Sequence, residues 1–209
     1  MCRVICLSGP VAAGKSSVLE SLARVLSKSN SVYVIREYID VLPDANDKLR
    51  AYLSGQLSAY DFQNYILDYY EVNSRVLEPY DYILCERCPT EGVEFFAKLD
   101  LDRQRMTKDE YKQLVDRAKS LTFYPSPARQ AKIKRIYTDN FSIQELTAEI
   151  LLTINDYHIV QLLANPETIK NRIISRGRQA EIEAYSDEYI SYMVSTYFPL
   201  RTPLTYCSA

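Results

Sequence analysis

Tryptophan is absent from this 209-residue chain, histidine occurs once, and neither sign of charge dominates. Each shortage removes a class of protein. The net charge is −2 and the isoelectric point about 5.6, so there is no global basic footprint for nucleic acid. No apolar run is long enough to span a membrane. The stretch after Met1 has neither the charged opening nor the apolar length of a secretory signal. Cys85 and Cys88 form a C-x-x-C, but there is no second ligand pair and His158 stands alone, so the spacing does not make a zinc site. The cysteines are odd in number, and Cys6 and Cys85 sit inside apolar strand candidates. That pattern fits reduced, packing thiols in a cytoplasmic or nuclear compartment. What remains is a chain of 47% hydrophobic residues, enough for one α/β domain with its own core.

The feature that organises the chain is Gly9-Pro10-Val11-Ala12-Ala13-Gly14-Lys15-Ser16-Ser17. It is a G-x-x-x-x-G-K-S loop, preceded by the apolar run Val4 to Leu7. It is followed by a helical pattern that puts Val18, Leu19, Leu22, Val25 and Leu26 on one face. Strand, glycine loop and helix in that order are the context a phosphate-binding loop requires. Gly9 and Gly14 let backbone approach phosphate oxygens, and the helix N-terminus directs free N–H groups at them. Lys15 is placed to neutralise the outer phosphates of ATP, and the Ser16 hydroxyl to ligate Mg²⁺. The expected fold is α/β: a P-loop NTPase-type parallel sheet flanked by helices, as one domain over residues 1–209.

The later elements supply more polar groups at strand ends. Ser31 to Ile35 reads as a strand leading into Arg36-Glu37-Tyr38, and Asp81 to Cys85 as a strand leading into Glu86-Arg87. Carboxylates at the carboxyl ends of parallel strands lie on the edge where α/β sheets bind ligands. Glu86 is suited to hold Mg²⁺ and Arg87 to steer substrate. Asp44 to Leu53 and Ala59 to Leu77 read as helices. On the second, Gln63 shares an apolar face with Ile66, Leu67 and Tyr70. Such an amide either bonds a neighbouring loop or reads the edge of a planar ligand, and the pattern alone favours the loop.

Thr107 to Leu121 reads as a helix. A break at Tyr124 to Pro127 then leads into Arg129, Lys132, Lys134 and Arg135. This basic run is read as a solvated face or a subunit contact ahead of a nucleic-acid surface. Ser142 with Glu145 forms a capping box for the next helix. Tyr157 to Leu163 is the fourth strand in this reading, and Asn165-Pro166 opens a helix that ends in Arg172, Arg176, Gly177 and Arg178. Arginines on one face repel each other, and the cluster gains only when an anion arrives, so residues 172–185 read as a lid hinged at Gly177. A last helix spans Asp187 to Tyr197.

Together these residues resemble the deoxynucleoside kinase family. The resemblance rests on the glutamate after the second strand, the helical glutamine, the Glu-Arg after the third strand, and an arginine-rich lid followed by an acid. It implies that Glu37 is the base that takes the proton from a sugar 5′-hydroxyl. Tyr52 and Glu181 would bind the 3′-hydroxyl, and Gln63 would pair with the base edge, reversing its reading from pattern alone. Phe96 would stack on the base, and Arg172, Arg176 and Arg178 would act as lid arginines. Ile66 and Gly92 fall where some branches carry a charged Arg and Asp pair. With Tyr70 narrowing the pocket, the resemblance points to thymidine or a broad pyrimidine range, and to a homodimer. Three departures stand out: Tyr38 replaces a proline, Cys88 replaces a serine, and Leu42 lies near an expected tryptophan. Residues 121–141 look like an insertion. A thymidylate-type monophosphate kinase, a non-catalytic relative and a kinase acting on nucleic-acid ends are the competing readings. The first is opposed by Glu37, which would repel an acceptor phosphate, and the second by the intact Lys15-Ser16.

Overall fold

The computed structural model describes residues 2–75, 80–121, 132–139 and 141–197. Five strands form one parallel sheet: β1 (Arg3–Ser8), β2 (Val32–Ile35), β3 (Tyr82–Glu86), β4 (Ile133–Tyr137) and β5 (Ile159–Leu163). Their spatial order is β2-β3-β1-β5-β4, and every adjacent pair is parallel. Both faces are covered, which is why β1, β3 and β5 read as unbroken apolar runs. The period of two still sorts their side chains. On β1, Ile5 and Leu7 enter one core while Cys6 enters the other.

The first face carries α1 (Lys15–Leu26), α7 (Ile143–Thr153), α8 (Pro166–Arg176) and α10 (Asp187–Tyr197), packed on Ile5, Leu7, Leu84, Val160 and Leu162. The second carries α2 (Ala45–Leu53), α3 (Ala59–Ser74) and α6 (Lys108–Ser120), packed on Cys6, Ile35, Ile83 and Cys85. After β3 the chain makes a short helix α4 (Pro89–Glu91), a π-helical turn over Gly92–Ala97 and α5 (Lys98–Asp102). A further helix, α9 (Gln179–Ala184), follows α8. Among the described residues, no helix is long and apolar enough to cross a membrane.

The helix boundaries have local causes. Ser58, Thr107, Ser142 and Asn165 each accept the N3 backbone N–H of the helix they open. Thr107–Glu110 and Ser142–Glu145 are reciprocal capping boxes. Gly177 stops α8 in a left-handed conformation at φ 72°.

Three expectations need correction. Val25 is 39% exposed, so the buried stripe of α1 is Val18, Leu19, Leu22 and Leu26. Ile133–Tyr137, read as part of a basic insertion, is an edge strand beside β5. Its charges hid it. An edge strand needs few apolar positions, and here only Ile136 is fully buried. Tyr157 to Leu163 therefore holds the fifth strand, which begins at Ile159. Two members of the basic run find partners within the protein: Lys134 pairs with Glu149 at 3.2 Å, and Arg135 donates to Gln161 at 3.0 Å, while Lys132 is exposed. Tyr124 to Arg129 lie outside the described residues, as do the expected end of the second helix beyond Arg75 and most of the expected insertion.

Candidate active site

Strand order explains why distant motifs meet. β2, β3 and β1 are consecutive neighbours, so whatever follows each of them emerges at one carboxyl edge. After β1 comes the glycine loop, after β2 Glu37, and after β3 Arg87, with Glu86 as the last residue of that strand. The register sets Glu86 beside Leu7 and Cys85 beside Ile35.

The loop is shaped by three left-handed residues: Gly9 (φ 136°), Ala12 (φ 59°) and Gly14 (φ 94°). A β-carbon on Gly9 would lie 2.1 Å from the Leu162 carbonyl oxygen, so this glycine also lets the loop cross closely over β5. Beside Gly14, a β-carbon would meet nothing within 4 Å, leaving that side open to a ligand. Helix α1 then starts without a side-chain cap and without an acid in its first turn. Its first N–H groups and its dipole are free for an anion. Lys15 is 3% exposed and folds back to donate to the Pro10 carbonyl at 2.9 Å. Burial, then the nearby Arg87, pulls its ammonium below the ordinary lysine range.

Ser16 Oγ donates to Glu86 Oε1 at 2.9 Å, and Glu86 Oε2 is buried without a partner. Burial, then the neighbouring Glu37, raises the Glu86 carboxyl. Two hard oxygen ligands stand side by side with an unsatisfied lone pair, a donor set that fits Mg²⁺. Arg87 is the hub of the edge. Its Nε donates to Glu37 at 2.8 Å, and its Nη1 to the Gly9 carbonyl at 2.9 Å, Glu91 at 2.8 Å and the Tyr197 hydroxyl at 3.0 Å. Its guanidinium stands 4.9 Å from the Phe96 ring centroid. Burial alone would raise the Glu37 carboxyl. Arg87 and Lys15 outweigh it and hold the group down at about 2.

Two cavities meet at this edge. One is lined by Ala12 to Ser17 with Glu86, Arg172, Arg176 and Arg178. The other is mostly aromatic and apolar, and all nine residues expected at the nucleoside lie on its wall: Glu37, Tyr52, Gln63, Ile66, Tyr70, Arg87, Gly92, Phe96 and Glu181. Glu37, Arg176 and Arg178 border both cavities. Gln63 is 3% exposed, and among the described residues its amide has no hydrogen-bond partner. It does not bond a neighbouring loop. Tyr52 is stacked on Phe62 at 4.4 Å, lies 4.5 Å from the Arg105 guanidinium and donates to buried Asp100 at 2.9 Å. Arg172 reaches the Ala12 carbonyl at 3.4 Å, while Arg176 and Arg178 pair with Glu181, and Arg178 also pairs with Asp40.

Sequence reasoning missed Tyr185, Tyr189, Leu49 and Phe62 on the aromatic wall, and Glu91 beneath Arg87. Glu91 had a signal, an acid four residues after an arginine; the aromatics look like ordinary core. The family departures are absorbed by packing. Tyr38 is buried edge-on against Phe62 at 6.0 Å, Leu42 packs in the second-face core, and Cys88 sits 3.3 Å from the Thr90 hydroxyl.

Residues 5–137 match the family model described as deoxynucleoside kinase. No curated protein sequence gives a significant match. Among solved structures, the chain resembles deoxyadenosine kinase from M. mycoides with bound dATP, at a TM-score of 0.61 and 17% identity over 93% of this chain and 81% of that one. The same enzyme with bound dCTP matches at a TM-score of 0.59 and 16% identity, over 94% and 81% of the two chains. At that identity the likeness speaks to fold, and the family assignment rests on the match across most of the chain. With the glycine loop, the paired strand-end acids and the aromatic cavity on one sheet edge, the chain belongs to the deoxynucleoside kinase family.

Proposed function

We propose that the protein transfers the γ-phosphoryl group of ATP to the 5′-hydroxyl of a deoxynucleoside, thymidine or a broad range of pyrimidine nucleosides. The observation that carries this reading is Glu37, a carboxylate on the wall shared by a phosphate-loop cavity and a mostly aromatic and apolar cavity. A base there reaches a hydroxyl presented from one side and a phosphoryl group presented from the other.

Each side chain then has a task. Residues Gly9 to Ser17, with Lys15, hold the phosphates. Ser16 and Glu86 would hold Mg²⁺, which when bound neutralises polyphosphate charge. Arg172, Arg176 and Arg178 bring positive charge to the transferring group from the lid, residues 172–185. Tyr52 donates its proton to Asp100, so its oxygen is left as an acceptor for the sugar 3′-hydroxyl, with Glu181 opposite. Gln63, buried and unpartnered, offers a donor and an acceptor to the base edge. Ile66 and Gly92 put no charge beside the base, which supports an uncharged pyrimidine. Glu37 takes the proton as the hydroxyl oxygen attacks. Positioning and electrostatics supply nearly all that such a transfer needs. A homodimer is part of the same proposal and rests on the family resemblance alone; light scattering tests it.

The deciding experiment is ATP-dependent phosphorylation of the four deoxynucleosides, thymidine monophosphate and a 5′-hydroxyl oligonucleotide. Transfer confined to free nucleosides, with thymidine or deoxycytidine preferred, is the expected result. Transfer only to the monophosphate or the oligonucleotide overturns the reading of Glu37, and a purine preference overturns the reading of the base pocket. Glu37→Gln should lower kcat by about 10³-fold or more, within the range of a lost general base and its charge, while nucleoside binding stays measurable by calorimetry.

A further inference from the structure

Glu91 is 3% exposed and lies on α4, in the first turn after the Glu-Arg pair. A single oxygen, Oε1, accepts three hydrogen bonds: from the Gly9 backbone N–H at 3.2 Å, from Arg87 Nη1 at 2.8 Å and from the Tyr197 hydroxyl at 2.9 Å. Those donors come from the glycine loop, the strand-end arginine and the last turn of α10. Burying a carboxylate is costly unless it is paired and bonded, and this one is paired to the residue at the centre of the site. It is not a metal ligand in waiting. Cys6 and Cys88 bring their sulfurs within 4.8 Å of one of its oxygens, and Oε2 is buried without a partner among the described residues, but the Arg87 cation held on Oε1 opposes a second cation.

Arg87 is thereby held between two carboxylates, Glu37 at Nε and Glu91 at Nη1. Its Nη2 is buried and has no partner among the described residues. With Glu37 as its sole counter-ion, Arg87 would bind that carboxylate more tightly and keep it from the substrate hydroxyl. With Glu91 in place, the arginine stays charge-compensated when Glu37 turns to the proton, and its orientation leaves Nη2 uncommitted.

We propose that Glu91 is a positioning residue for phosphoryl transfer, locking Arg87 and the first glycine of the phosphate loop in register and freeing Glu37 to act as base. This rests on the nucleoside-kinase reading above. Removing the charge by Glu91→Gln preserves shape and should lower kcat by roughly 10–100-fold, the range for a lost hydrogen bond to a charged group. KM for nucleoside and ATP should stay within about threefold, because the glutamine oxygen can still accept from the Gly9 N–H and no side chain lining either cavity is changed. Tyr197→Phe removes two hydrogen bonds, one accepted from Arg87 and one donated to Glu91, but leaves the Arg87–Glu91 ion pair in place, and should lower kcat less than Glu91→Gln does.

The test combines kinetics with calorimetric ATP binding and a double-mutant cycle on Arg87→Met. Nucleotide stoichiometry equal to wild type for Glu91→Gln, together with a Glu91→Gln/Arg87→Met double variant no slower than Arg87→Met alone, is the expected result. Losses that multiply in the double variant, or a stoichiometry that falls in step with kcat, would mean that Glu91 serves only folding, and the proposal fails. If Glu91→Gln misfolds, Tyr197→Phe carries the same cycle against Arg87→Met. A wild-type protein that phosphorylates no nucleoside overturns the functional reading itself, whereas an active wild type with an unaffected Glu91→Gln overturns only the role of Glu91.

Discussion

Arg87 adopts a left-handed backbone conformation at φ 64°, which costs a non-glycine residue on the order of 1–3 kcal/mol. The turn is what sends Glu86 and Arg87 to different partners within two residues, one to Ser16 and the other to Glu37 and Glu91. The charges around it set two expectations. Glu37 is held at about 2, below its ordinary 4.5, so its ion pair with Arg87 contributes fully above about pH 4.5 and is lost as the pH falls toward 2. The cations that hold it down, Arg87 and Lys15 with Arg178, are the ones a bound triphosphate would engage. Glu37 should therefore titrate higher in the ternary complex than in the free protein. The acid limb of kcat is expected at higher pH than that of kcat/KM, and parallel pH profiles for the two would contradict the assignment. Glu86 is displaced in the other direction, its carboxyl raised by burial and by Glu37. A raised acid favours the folded state when protonated and weighs against it when ionised. Glu86→Gln should consequently raise the Tm of the ligand-free protein at neutral pH in a thermal melt. The same change should lower kcat by about 10²-fold or more through loss of a charged ligand and its electrostatic contribution.

At the scale of elements, two of the three arginines at the end of α8 and the start of α9 are already paired with acids. Arg176 and Arg178 pair with Glu181, and Arg178 with Asp40 in the turn after Glu37. Triphosphate must compete with these acids for the arginines. The Asp40–Arg178 pair is partly exposed, and such pairs contribute about 0–1 kcal/mol, so Asp40→Asn should tighten ATP binding by up to about fivefold. Calorimetry on the variant reads this directly, and weaker binding would show that Asp40 instead orients the arginine. Helix α6 is set by local chemistry: Thr107→Ala removes the capping-box hydroxyl and should cost about 1 kcal/mol, or roughly 2–4 °C in Tm for a chain of this size. Caps of this kind are the most legible elements because their partners lie three residues apart. β4 was illegible for the opposite reason. Its pairing with β5 is long-range, and its charged residues, Lys134 and Arg135, find partners on Glu149 and Gln161 that no local window contains.

At the scale of the whole molecule, the sheet order brings three strand ends to one edge and places the two cavities across it. Filling both should stabilise the fold as a unit. Ligands at about 100 times their Kd contribute about 2.7 kcal/mol each, so ATP-Mg²⁺ alone should raise Tm by roughly 5–10 °C, with a further rise on adding nucleoside. No rise with ATP-Mg²⁺, measured by scanning fluorimetry, would oppose the reading of the glycine loop.

The sequence by itself determined the strand, loop and helix at Val4 to Leu26, the capped helices, and which polar residues to examine, because those signals are local: short spacings, helical faces and strand ends. It also singled out Gln63 as anomalous without deciding its partner. Only the tertiary structure decided that this amide faces a cavity and not a loop, that Tyr185 and Tyr189 complete the same wall, and that Glu91 and Tyr197, 106 residues apart, share one hydrogen bond beneath Arg87. Contacts of that separation depend on how the chain crosses over the sheet, and no periodicity along it encodes them.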